Sequence, residues 1–210
     1  MNNEFISKVF RWFGIGLFVT FLVAYVVSTN SMFLSIIFGS PLYIVALILE
    51  VVLAIVLSAR INKMSGTSAK VLYIGYSALT GLTFSSIFLI YKISSIIWIF
   101  LITSLVFFVF SIIGKNMNVD LRRLGVYLFV FLIGLVVLEI INIFMLNNTL
   151  NMISCVLGLG IFVGYVAYDI KKLEYYDNTD NMAVIGAFML YIDFVNLFIR
   201  LLNLFGKSRD

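Results

Sequence analysis

Asp169 and Asp193 are the residues of this chain hardest to reconcile with their surroundings: each is a carboxylate inside a long apolar run, GIFVGYVAYDI for the first and FMLYIDFVNLF for the second. An ionised side chain in the middle of a membrane span costs on the order of 2.5 to 3.5 kcal/mol, so each asks for a partner or a function. The two runs are expected to form an antiparallel hairpin with its turn near Asp180, and the midpoint of the two aspartates falls on Asn181. The carboxylates are therefore expected at similar depth, a few turns from the cytoplasmic surface, within reach of each other after a modest rotation of either helix. Two unit charges about 4 Å apart repel by about 4 kcal/mol at an effective dielectric of about 20. The pair is thus expected to hold one proton near neutral pH, as a proton-sensing dyad with coupled titration. Doubly ionised, it becomes a transient metal site of hard oxygens, the kind calcium prefers. The alternative is that each aspartate is satisfied separately, by Arg60, Lys172, a tyrosine hydroxyl or a helix end.

The last apolar run carries a second pattern. Asp193, Asn196, Arg200 and Asn203 recur at spacings of three, four and three, which draws one polar stripe down a helix. Such a helix cannot face lipid on that side; its stripe must line a wet cavity or meet polar partners, so it is expected at the centre, with the other helices around it. Interhelical bonding by the asparagines is the plainer alternative. Glu50 lies near the middle of the second run, and Glu139 stands two to three turns from the outer end of the fifth, with Asn142 one turn beyond. Glu139 reads equally as vestibule lining or as a residue without a role. Arg200 is deep enough to need a counter-charge, which either glutamate could supply. Arg60, at a helix end, can snorkel to water at little cost.

The elements that must hold these groups follow from composition. Of 210 residues, 63% are hydrophobic and 11% charged, which excludes a water-soluble fold. The expected fold is an all-α integral membrane protein, a single domain over residues 1–210 with about seven transmembrane helices of roughly 20 residues each. The spans are placed near Phe10–Val27, Pro41–Ala59, Val71–Tyr91, Ile96–Gly114, Leu124–Leu146, Met152–Tyr176 and Met182–Phe205. Ser40 is a candidate cap and Pro41 a first-turn residue for the second. The run Met32–Phe38 is too short to span and is expected at the interface. Small residues one turn apart, Ser77, Gly81 and Ser85 in the third span and Gly160 and Gly164 in the sixth, permit close helix packing.

Basic residues sort to alternate loops. Lys8, Arg11, Arg60, Lys63, Lys70, Lys115, Arg122, Arg123, Lys171 and Lys172 fall on one side, against Lys92, Lys207 and Arg209 on the other. The positive-inside rule then puts the N-terminus in the cytoplasm and, with an odd number of spans, the C-terminus outside. The first span reads as an uncleaved helix, since six more follow and no small-residue cleavage site does. The net charge of +4 forms no patch of the kind nucleic acid requires. The single cysteine, Cys155, has no partner for an intramolecular disulfide, and the absence of histidine removes Ser-His proteolysis, histidine-ligated haem and most zinc sites. No enzymatic activity and no cofactor is expected, and protein partners stay open.

The run YIDFVNLFIRLLNLFG, with Tyr191, Asp193, Asn196, Leu197, Phe198, Leu201, Leu202 and Gly206, resembles the last-helix signature of the transmembrane Bax-inhibitor-motif family. Tyr168-Asp169 in the sixth span, Gly114 and Lys115 followed by Asp120-Leu121, the run Ser77-Ala78-Leu79-Thr80-Gly81-Leu82, and Glu50 extend the resemblance over nearly the whole chain. It implies seven helices with the last at the centre of a two-layer bundle, and, from bacterial members, a pH-sensitive calcium leak with Ca²⁺ as permeant ion. It further implies that Asp169 and Asp193 are the pH-sensing diaspartyl pair, that Arg60 latches onto Asp169 to hold the pore shut, and that Glu50 lies on the ion path. The polar residues Asn196, Arg200, Asn203 and Glu139 are carried as further path candidates. Two departures stand out. Arg60 is isolated where bacterial relatives have a basic cluster, and Arg200 precedes Asn203 where relatives carry the asparagine first and the base later; a bare guanidinium there would repel divalent cations.

The expected partners are therefore the lipid bilayer, calcium ions and protons, and the expected location is a bacterial plasma membrane. Two rivals remain: a proton-coupled secondary transporter, and a non-conducting regulatory protein that binds other membrane proteins. A retinal protein is disfavoured because the last helix has arginine rather than a Schiff-base lysine in its interior. Aspartyl intramembrane proteolysis lacks its glycine-rich acidic loop.

Overall fold

A computed structural model describes residues 3–60 and 64–209, except for the side chains of Ala59 and Arg60. All regular structure among the described residues is helical, with one isolated antiparallel bridge between Tyr91 and Ser208. The helices are α1 (Asn3–Thr29), α2 (Ser31–Phe38), α3 (Leu42–Arg60), α4 (Gly66–Ile90), α5 (Ile93–Asn116), α6 (Leu121–Met145), α7 (Asn148–Lys172), a 3₁₀ turn at Leu173–Tyr175, and α8 (Asp180–Phe205). Six are long and apolar enough to cross a bilayer, and the pair α2 and α3, bent by 77°, has the form of a broken span or a re-entrant loop. This is a multi-pass membrane protein with six or seven spans.

The bend has a readable cause. The chain between α2 and α3 is Gly39-Ser40-Pro41, and Pro41 has no amide hydrogen with which to continue the first helix into the second. Ser40 Oγ accepts the Leu42 amide at 3.3 Å, so the expected cap forms. Elsewhere the starts are set by short polar side chains: Ser65 caps α4, Asp120 caps α6 through the Arg122 and Arg123 amides, and Asn147 caps α7 through those of Thr149 and Leu150. Several helices begin earlier than expected, α1 at Asn3 rather than Phe10 and α4 at Gly66 rather than Val71. The extra turns are polar on one side only. In α1, Phe5 and Val9 are buried while Lys8 pairs with Glu4 one turn back at 3.1 Å. An apolar-run criterion truncates such ends.

The packing divides into two compact units. The first gathers α1 to α4, residues 176–191 and the C-terminal tail. There Gly81 brings α4 against α1: a Cβ on it would stand 2.6 Å from Thr20 O. Tyr73, Tyr76, Phe188 and Tyr191 form a cluster of edge-to-face rings, and Lys70 pairs with Asp180 at 2.9 Å. The second unit gathers α5, α6, α7 and residues 192–207. Gly114 of α5 meets the α7 backbone, a Cβ there falling 2.6 Å from Ala167 Cα, and Phe100 and Phe107 pack on Phe194. Gly164 faces Leu128, whereas a Cβ on Gly160 would meet nothing within 4 Å; of the two glycines expected at a close helix contact, only Gly164 makes one. Helix α8 contributes to both units and is the most buried of the six long helices, 67% of its apolar stretch against at most 39% for the other five.

Candidate functional site

In the second unit, α7 presents Asp169 and α8 presents Asp193, both buried at 7% and 3% exposure. Their carboxyl groups lie close enough to act directly on each other. An ionised carboxylate only accepts, so a bond between two carboxyls requires a proton on one of them. Asp193 Oδ2 is buried with no hydrogen-bond partner among the described residues, so no amide donor settles a negative charge on that oxygen. Lys172, one turn beyond Asp169, lies close enough to act on it electrostatically, and its ammonium also sits 5.5 Å from the centre of the Tyr168 ring. Tyr165 stands near both carboxyls.

The pair does not arise from the hairpin arithmetic. α7 ends at Lys172 with the 3₁₀ turn to Tyr175, and α8 begins only at Asp180, so the turn is centred on Tyr176 rather than Asp180. The first half of α8, up to Tyr191, packs in the first unit; only from Ile192 onward does α8 share a unit with α7. The two aspartates meet just past that handover, not by symmetric pairing along a hairpin.

Further along α8, Arg200 is buried at 8%. Its Nη2 donates to Glu139 Oε1 of α6 at 2.7 Å and its Nη1 to Ser154 O of α7 at 3.1 Å. Of the two glutamates able to neutralise it, Glu139 does so. The guanidinium lies against the α7 backbone at Gly158, where a Cβ would come within 2.5 Å of Arg200 Cδ, and stands 5.4 Å from the Phe162 ring centre. The rest of the polar stripe behaves differently. Asn196, half-buried, donates to Ile192 O of its own helix at 2.9 Å, and Asn203 is exposed.

In the first unit, Glu50 of α3 is half-buried and accepts from Thr80 Oγ1 at 2.7 Å and from Thr83 Oγ1 at 3.1 Å. Tyr191 OH lies 2.6 Å from Thr20 Oγ1, whose own proton is shared between the backbone carbonyls of Ser77 and Gly16. A hydroxyl has one proton, so Tyr191 is the donor to Thr20. Sequence reasoning missed the two threonines. Their spacing of three places both hydroxyls on one face of α4 and was the available signal. Gly158 and Ser154 left no such trace, since their parts come from what α8 lays against them. The latch expected of Arg60 lies outside the described residues: α3 ends there, and its side chain is not among them. No group of three or more acidic, histidine or cysteine side chains gathers among the described residues.

Comparison with known proteins agrees over the whole length. The profile of the family described as inhibitor of apoptosis-promoting Bax1 matches residues 2–210. The chain is 36% identical to the inner membrane protein YbhL of Escherichia coli K12, over 99% of this chain and 93% of that one. It is 36% identical to an uncharacterised protein of Borreliella burgdorferi, covering 100% of this chain and 94% of that one, and 35% identical to a membrane protein of Streptococcus pyogenes serotype M1, covering 98% and 93%.

Proposed function

From the membership of this chain in the Bax inhibitor-1 family of membrane proteins, we propose that it is a pH-sensitive calcium leak of the bacterial plasma membrane, with Asp169 and Asp193 as its proton sensor. The observation that carries this reading is the close approach of two buried carboxyls. With one proton the pair is held together; without it, two like charges at about 4 Å repel by about 4 kcal/mol at an effective dielectric of about 20. That difference is large enough to bias a two-state helix arrangement by several hundredfold. The side chains that respond are those of α7 and α8, and doubly ionised they offer oxygens to a passing Ca²⁺.

The rest of the account follows from this centre. Counting the bent α2 and α3 as one, the chain crosses seven times, with the heavily buried α8 at the centre. The basic loops lie in the cytoplasm with the N-terminus, and the C-terminus lies outside. Arg60, at the end of α3, is the latch that engages Asp169 in the shut state. Glu50, held by Thr80 and Thr83, lies on the ion path, and Asn196, Arg200, Asn203 and Glu139 belong to its polar lining. The protein moves ions passively and carries out no covalent chemistry.

Calcium entry into liposomes holding the reconstituted protein, followed with an enclosed indicator at acidic, neutral and alkaline pH, tests the reading. Flux should change with pH in the wild type and lose that dependence in Asp169→Asn and Asp193→Asn. An unaltered pH profile in both variants removes the sensor role. Saturable uptake coupled to proton movement marks a transporter instead.

A further inference from the structure

A permanent positive charge in the interior of a protein that passes divalent cations needs an explanation, because a guanidinium does not deprotonate in proteins. Arg200 is such a charge, and the only carboxylate bonded to it among the described residues is Glu139, at 2.7 Å. The two ends of this ion pair are unequal. The Arg200 side chain is 10% exposed and seated between the Ser154 carbonyl, the Gly158 backbone and the Phe162 ring, whereas the Glu139 side chain is 43% exposed. Arg200 engages Glu139 through Oε1. The fixed charge of Arg200 is thus neutralised by the more accessible member of the pair.

We propose that Glu139 is a specificity-determining residue, which masks the fixed charge of Arg200 and so keeps the protein permeable to divalent cations. The inference rests on the calcium-leak reading. Once the carboxylate is neutral, the guanidinium acts on any approaching cation uncompensated, and twice as strongly on a divalent ion as on a monovalent one. The loss therefore falls on Ca²⁺ more than on K⁺, which a purely structural role for the pair does not predict.

The experiment measures calcium and potassium fluxes side by side in liposomes containing full-length protein, with thermal unfolding recorded for each variant. Glu139→Gln should lower calcium flux roughly tenfold and potassium flux less, so the ratio of the two falls. Glu139→Asp should keep the ratio. The double variant Glu139→Gln with Arg200→Gln should restore it, since the charge that needed masking is gone. An unchanged ratio in Glu139→Gln overturns the inference, and so does a double variant as impaired as the single one. Absence of calcium flux from the wild type overturns the leak reading and this inference together; wild-type flux with a charge-insensitive ratio overturns this inference alone.

Discussion

Replacing Gly114 by alanine should destabilise the protein although alanine is the better helix former. A Cβ at this position would stand 2.6 Å from Ala167 Cα and 2.8 Å from Ala167 C, and both of these are backbone atoms of α7. Carbon atoms rest at about 3.5 Å or more, so α5 and α7 must separate by about 1 Å. Overpacking of this kind costs about 1 to 3 kcal/mol, and the gain in helix propensity offsets about 0.5 to 1 kcal/mol of it. The net loss of about 1.5 kcal/mol corresponds to a melting temperature lower by about 3 to 6 °C for a chain of this size. Gly160→Ala is the matched comparison, because nothing lies within 4 Å of its added methyl group; it should melt about 2 °C above wild type. Detergent-solubilised protein followed by the fluorescence of Trp12 and Trp98 provides the assay. A Gly114→Ala protein that melts at or above Gly160→Ala refutes the packing argument. Ala167 lies two residues before Asp169, so the same displacement should also weaken the carboxyl contact and flatten the pH response of calcium flux.

Thr80→Val removes the 2.7 Å bond to Glu50 Oε1 and should cost about 2 kcal/mol, with a smaller loss for Thr83→Val at 3.1 Å; thermal unfolding of the two variants checks the order, and equal or absent losses count against it. Tyr191→Phe deletes the donor to Thr20 while keeping the ring in its edge-to-face cluster, so it should cost about 1 kcal/mol in the same assay, and a truncation to leucine distinctly more.

The membrane class and the helices were legible because lipid imposes long apolar runs that need no tertiary information. Their ends were not, since Lys8 and Lys70 sit on helical turns whose other face is buried, and a hydropathy criterion stops at the first charge. Asp169 and Asp193 were visible as charges out of place, yet the arithmetic that joined them used a turn at Asp180 that the chain makes at Tyr176. The division of α8 between two packing units, which actually decides where Asp193 meets α7, has no signature in a linear pattern. Arg200 announced its need for a counter-charge but not which one. Glu50 and Glu139 have the same charge, and only the reach of the Arg200 side chain to α6 selects Glu139. The donors to Glu50 come from α4, thirty or more residues away, where threonines are otherwise unremarkable.

The measurement that bears most directly on the proposed sensor is the infrared carboxyl spectrum of the reconstituted protein, recorded as a difference between acid and alkaline media in ordinary and heavy water. A protonated carboxyl shared by Asp169 and Asp193 predicts a C=O band that fades as the proton leaves, shifts on deuteration, and is lost or displaced in both Asp169→Asn and Asp193→Asn. A spectrum without any pH-dependent carboxyl band, or one whose band is identical in the two variants and the wild type, contradicts a proton held between these residues.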